Sequence, residues 1–282
     1  MKTSSWFNFH ACPKTDMDAF LQEGILSHKR IGFDGVNFDL CCVGALDESL
    51  DARLERFLQL AQEHELELPV AHLPFVTQKV GLPDDPSFQT KMYRAIDCAK
   101  MLGVGYAVVH PNSTTVPLEG YNRAAEFENV MGHLGPFVDY AKKQGVQIVI
   151  ENMRIVHKGY PVHRFGASPE ELCAVADALG IGVCWDTGHA NITGLKQSEA
   201  LACVGSRLKM LHLNDNVADD DIHLAPFCGN IDWADVMQGL KAIGFDGYLN
   251  FEVSTARVPL SCREAFGRYV HSTAAALENL MK

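Results

Sequence analysis

The chain has 282 residues, 47% of them hydrophobic and 21% charged, which is the composition of a soluble globular protein with room for a large core. Its formal charge of −11 and pI near 5.5 count against a surface built to coat nucleic acid. No apolar run reaches the roughly 18 residues of a membrane span, and MKTSSWFNFHACPKTD at the start lacks an apolar signal core, so the expectation is a cytoplasmic protein with no membrane partner.

In chain order, short apolar runs alternate with polar loops and amphipathic helices. The predicted strands are SSWFNFH, GVNFDL, LPVAHLP, YAVVHPN, QIVIEN, GVCWDTGH, LKMLHLND and GYLNFEV. Leu50, Leu54, Phe57, Leu58 and Ala61 share one helical face, as do Phe266, Val270, Thr273, Leu277 and Leu280. Ser168-Pro169-Glu170-Glu171 reads as a capped helix start, and Gly145, Gly180 and Gly244 as helix stops. The helix over 121–144 contains Gly132, Gly135 and Pro136, and the expectation there is a kink or a split. Eight strands alternating with eight helices predict a single (β/α)8 TIM barrel domain over residues 1–282. A doubly wound open sheet is the runner-up, but no GxGxxG turn follows the first strand.

A parallel barrel carries its site at the C-terminal strand ends. Those ends hold His10, Asp39, His72, His110, Glu151, Asp186 with His189, His212 and Glu252, and the loop after the seventh strand adds Asp221 and His223. Each alone has a plain reading: a histidine satisfied in the core, or Asp186 as the cap of the next helix. Glu151 and Glu252 follow the apolar runs QIVI and YLNF, where a carboxylate must find a cation or donors. Such a convergence on one rim predicts a metal site. Glu151, Asp186, His212 and Glu252 suit manganese, magnesium or cobalt, whereas the additional imidazoles favour zinc. The nine cysteines contain no CxxC pair, so neither a zinc ribbon nor a disulfide framework is expected.

With VVHPN, IVIEN, CWDTGHAN, LHLNDN, IHLAPFCGNIDW and GYLNFE in this order, the chain resembles the xylose isomerase-like barrel superfamily. That group includes ketose 3-epimerases, inosose-handling enzymes and the endonuclease IV branch. The epimerase resemblance implies one divalent metal (Mn2+, Zn2+, Co2+ or Mg2+) on Glu151, Asp186, His212 and Glu252, with both glutamates as acid/base groups and His189 on the substrate. The endonuclease resemblance implies three zinc ions on those residues together with His72, His110, His189, Asp221 and His223. The flanking residues separate the branches: this chain reads DTGH rather than DTCH, HLNDNV rather than HLNDSK, and ENMRIVHKGY rather than ENTAGQG. The expected activity is therefore isomerisation or epimerisation of a small sugar, keto-sugar or cyclitol through an enediolate. Abasic-site cleavage is the alternative, with Phe75 of HLPF as a duplex wedge, and a metal-binding subunit without turnover is a third reading. His10 and Arg154 are further candidates for substrate contact. Arg154, His157, Lys158, His163 and Arg164 in the loop after Glu151, and Arg257, are candidates for holding an anionic substrate. A homodimer or homotetramer is the expected assembly.

Overall fold

The computed structural model describes residues 1–7, 16–41, 49–75, 86–111, 120–157, 160–161 and 163–282. Eight strands form one parallel sheet: β1 (Thr3–Phe7), β2 (Gly35–Asp39), β3 (Val70–His72), β4 (Tyr106–Val109), β5 (Ile148–Glu151), β6 (Gly182–Asp186), β7 (Leu208–His212) and β8 (Leu249–Phe251). From β1 to β7, neighbours in sequence are neighbours in the sheet, and β8 pairs with β1. The ring closes just past the end of β7 and at the last residue of β8, through the parallel bridge Leu213↔Phe251. There Leu213 N donates to Asn250 O at 2.8 Å, and Glu252 N donates to Leu213 O at 3.0 Å. This is the predicted (β/α)8 barrel, and it excludes the doubly wound sheet. A small antiparallel hairpin, Val156–His157 with Tyr160–Pro161, stands outside the barrel after β5.

The connecting helices are α1 (Met17–Ile31), α2 (Leu50–Glu63), α3 (Pro86–Leu102), α4 (Arg123–Gln144), α5 (Pro169–Leu179), α6 (Thr187–Ile192), α7 (Gln197–Val204), α8 (Trp233–Ala242) and α9 (Arg263–Leu280). Their apolar stripes lie on the outer face of the barrel. In α2 the buried residues are Leu50, Leu54, Phe57, Leu60 and Ala61, with Leu58 only partly covered, so the stripe is rotated slightly from the predicted one. Val36, Phe38, Ile150, Trp185, Leu211 and Phe251 meet these stripes from the strands. Each such side chain contributes roughly 1.5–3 kcal/mol by leaving water. Trp185 is fully buried, and its indole N–H donates to Gln197 Oε1 at 3.0 Å, so its one polar atom is satisfied.

The helix ends follow the sequence. Ser168 Oγ accepts from Glu171 N at 3.3 Å, with Pro169 at the first helical position of α5. Gly145 and Gly180 take φ of 79° and 61° beyond α4 and α5, a region a side chain would disfavour. Among the described residues no helix is long and apolar enough to cross a membrane.

The expected split of α4 is not found. The helix is continuous over 22 residues with Pro136 inside it. Gly132, whose carbonyl the proline cannot bond, and Pro136 itself are both exposed, so the unpaired carbonyl is open to solvent rather than buried. Val130, Leu134, Phe137, Val138 and Ala141 are buried on both sides of the interruption and anchor both halves to the core. Pro136→Ala should therefore stabilise the protein, by up to about 3 kcal/mol, because it restores a helical hydrogen bond at a solvated position. Urea unfolding checks this. A midpoint that stays put or falls would mean that the packing of α4 depends on the proline.

Candidate metal centre

The site grows out of the pleat of the barrel strands. Val70, Val108, Val149, Cys184 and Met210 form a small apolar cluster separate from the main core. Two residues further along the same strands, or just past their ends, come His72, His110, Glu151, Asp186 and His212. Side chains two apart share a face, so the barrel interior has an apolar floor with an ionisable layer directly above it. All five of these ionisable residues are buried. Glu252 follows β8 and keeps only 13% side-chain exposure.

Glu151 is the centre of the layer. Its Oε2 lies 3.3 Å from His72 Nε2, 3.4 Å from His110 Nε2 and 3.3 Å from His212 Nδ1. Its Oε1 lies 3.3 Å from His189 Nδ1. His212 Nδ1 is also 3.2 Å from Glu252 Oε2. Two donor sets result, His72–His110–Glu151 and Glu151–Asp186–His212–Glu252, each with ligand atoms within 4.8 Å of one another.

The donor chemistry fits a divalent cation. Glu151 Oε2 and His212 Nδ1 are buried without a properly aligned hydrogen bond. His72 Nδ1 donates to Leu73 O at 2.7 Å, which leaves Nε2 to face His110 Nε2 at 3.1 Å. Two imidazole nitrogens that close, beside a carboxylate, need a proton or a metal ion between them. The larger set is oxygen-rich with one imidazole, as manganese, magnesium or cobalt prefer, and the smaller offers the nitrogens that zinc prefers.

The electrostatics follow the same logic. Burial pushes His110 down to about 4, so its ring is neutral and presents a lone pair. Burial works against the charge on Glu151, but His212 and His110 hold its carboxyl well below the usual range. Burial also opposes a charge on His212, yet the Cys184 sulfur and the carboxylates of Glu252 and Glu151 carry it well above its ordinary value. The proton drawn to His212 does for these carboxylates what a bound cation would do. Asp186 is pushed up to about 6 by burial, with the Glu151 and Glu252 carboxylates adding to the rise against His189.

Asp186 is a helix cap as well as a candidate ligand. Its Oδ1 accepts from His189 N at 2.6 Å at the start of α6, and its Oδ2 accepts from Asn214 Nδ2 at 2.7 Å. Each carboxylate oxygen keeps a second lone pair, so the cap and a metal are compatible. Asn152 clamps the same residue through its backbone, accepting from Asp186 N at 2.6 Å and donating to Asp186 O at 2.9 Å. These asparagines, one residue after Glu151 and two after His212, were not singled out from the sequence. Their position beside the ligands in IVIEN and LHLN is the signal. A Cβ on Gly188 would collide with Asn214 Oδ1 and sit 2.8 Å from Asn216 Nδ2, so DTGH needs its glycine to admit these amides. GNIDW is a brace too: Trp233 Nε1 donates to Asp215 Oδ2 at 3.0 Å, and Ile231 N donates to Asp215 Oδ1 at 3.2 Å.

A cavity of about 620 Å³ opens over this layer. Its lining includes His72, His110, Glu151, His189, Asp221, His223 and Glu252, and also Asp39, Arg154 and Arg164. Asp39 is turned in part to its own loop, accepting from Cys41 N at 2.6 Å. Phe75 is 47% exposed and lies against His110 with ring centroids 4.4 Å apart, forming part of the cavity wall. Asp221, His189, His223 and Arg154 make a second polar group on that wall. His163 lies away from it, 3.4 Å from Glu171 Oε1, and Arg257 is exposed and does not line the cavity. His10 and Lys158 lie outside the described residues, as does the side chain of His157.

A profile of the xylose isomerase-like TIM barrel matches residues 27–278. The chain belongs to that family. Within the xylose isomerase-like barrels, solved structures similar to this one include a D-tagatose 3-epimerase-like protein, at 23% identity and a TM-score of 0.70 over 98% of this chain and 100% of that one. An L-ribulose 3-epimerase superposes with a TM-score of 0.75 at 17% identity, covering 99% and 96% of the two chains. The 3-keto-D-glucoside 4-epimerase of E. coli has a TM-score of 0.71 at 16% identity, covering 96% and 99%. At these identities the likeness establishes the fold. In sequence, an uncharacterised protein of Methanocaldococcus jannaschii is 29% identical over 228 residues, 77% of this chain and 74% of its own length.

The packing around Gly188 makes a prediction. Gly188→Ala should displace Asn214 and release Asp186 from its second hydrogen bond, weakening divalent-metal affinity by about 10–100-fold. Calorimetric titration of manganese into the metal-free variant tests it, and wild-type affinity in a folded variant would rule it out.

Proposed function

We propose that this barrel is a divalent-metal-dependent isomerase or epimerase of a small sugar, keto-sugar or cyclitol, acting by proton abstraction next to a carbonyl. The observation that carries the reading is the placement of two carboxylates, Glu151 and Glu252, at 3.3 and 3.2 Å from His212 Nδ1 beneath a cavity of about 620 Å³. That volume is within the usual range for a small-molecule site. The substrate class is supported by the family and by the sugar epimerases that share the fold.

Glu151, Asp186, His212 and Glu252 would hold the ion. When bound, it supplies Lewis acidity that polarises the substrate carbonyl and steadies the negative charge formed next to it. One glutamate takes the proton from the carbon beside the carbonyl, leaving an enediolate. The other returns a proton to the opposite face, giving epimerisation; return to the neighbouring carbon gives isomerisation. Asn152 and Asn214 keep Asp186 in register during these transfers, while His189 and Arg154 face a substrate oxygen from the wall.

The test is incubation of metal-loaded protein with ketoses and inososes in deuterated water. Deuterium should enter the carbon next to the carbonyl, and Glu151→Gln or Glu252→Gln should slow its entry by about 10²–10⁴-fold. Failure of every substrate to exchange would sink the reading. A second reading is favoured by the approach of His72 and His110 to Glu151, since more than one ion suits phosphodiester cleavage. Nicking of an abasic-site duplex without any exchange would select it. Neither activity, with metal still bound, would select a binding subunit.

A metal bound by the folded chain alone must also stabilise it. Manganese, cobalt or zinc at 100 times its dissociation constant should add about 2.7 kcal/mol, read as a rise in melting temperature that a chelator reverses. An unchanged melting curve would argue against the centre.

A further inference from the structure

Next to the Glu151 layer, three groups surround a cation that the chain itself provides. Asp221 lies between two imidazoles, with Oδ2 3.3 Å from His189 Nε2 and Oδ1 3.1 Å from His223 Nε2. Each ring is fixed through its other nitrogen. His189 Nδ1 donates to Asn152 O at 2.8 Å, and His223 Nδ1 donates to Glu252 O at 2.9 Å. A neutral imidazole that donates through Nδ1 carries a bare lone pair on Nε2. A backbone carbonyl behind the ring is also the arrangement that orients metal-binding histidines. His223 reaches its place with φ at 47°, a conformation that non-glycine residues adopt only when their surroundings enforce it.

The Asp221 carboxylate therefore meets an imidazole nitrogen on each oxygen, a lone pair on His189 and an N–H on His223, which an ion would have to displace, and Arg154 Nη1 is among them. It lies 2.8 Å from Asp221 Oδ2 and 2.8 Å from His189 Nε2. The guanidinium satisfies both with the donors it carries and brings a charge that cannot be lost at ordinary pH.

We propose that Arg154 is a built-in cation that keeps His189, Asp221 and His223 from taking a divalent ion, so that loss of its guanidinium turns this trio into a metal site. The inference rests on the divalent-metal part of the reading above and not on enolisation. A consequence is that the wall faces substrate with fixed N–H donors that no chelator removes, while the Lewis acid is confined to the Glu151 layer.

Native mass spectrometry of protein stripped with a chelator and re-equilibrated with zinc counts ions per chain directly. Arg154→Ala should hold one zinc more than wild type, and Arg154→Lys should keep the wild-type number. Arg154→Ala combined with His223→Ala should return to it. Thermal melting before loading shows that each variant is folded, and Arg154→Met, which keeps bulk without charge, gives the same reading where alanine loosens the fold. Equal counts in wild type and the neutral variants overturn the proposal and leave the Glu151 centre standing. An extra zinc that persists in the double variant lies elsewhere and also overturns it. No zinc in any form removes this proposal and the metal reading together.

Discussion

Glu151 is a carboxylate with 1% exposure, met by imidazole nitrogens of His72, His110, His189 and His212 at 3.3–3.4 Å. A buried carboxylate is tolerable only with such compensation. Glu252, Asp186 and Asp221 add three more acids within the same enclosure, so the supply of positive charge governs the whole mouth of the barrel. Protons on histidines, an arginine and a divalent ion are alternative ways to meet one demand. The chain uses the arginine where Asp221 stands, and the Glu151 layer is where a removable ion fits.

The barrel serves this arrangement by putting ionisable groups above an apolar floor. Because the pleat has a period of two, the residue below each ligand is fixed as soon as the ligand is: valine under His72, His110 and Glu151, cysteine under Asp186, methionine under His212. Water is excluded from beneath, which strengthens every charge interaction in the layer. Asn152, Asn214 and the Asp215–Trp233 contact then restrain the loops above the floor.

Much of this is legible in the sequence. The eight apolar runs form strands, and the described histidines and acids at their ends gather at one mouth because a closed parallel sheet leaves them nowhere else to go. For Asp186 the sequence sets cap and ligand against each other, whereas the structure gives one oxygen to the cap and leaves the other roles open to the same carboxylate. The helix over Gly132 and Pro136 defied its local signals because buried residues on either side outweigh one missing hydrogen bond. Arg154 was visible as a candidate substrate contact, but its pairing with Asp221 joins the loop after β5 to the loop after β7. No local pattern encodes a contact of that kind.

The closure of the ring bears on how this centre is tuned. His212 ends β7 and Glu252 follows β8, so the two sit on opposite banks of the seam joined through Leu213 and Phe251. Elsewhere the ring is held by ladders, but across this join the backbone contributes the two hydrogen bonds of Leu213 and, further out, that of Ser254 N to His223 O at 2.9 Å. The span between those two side chains is thus set at a single bridge rather than along a ladder. Small changes in the Leu213 and Asn250 surroundings would alter the span between His212 and Glu252 directly.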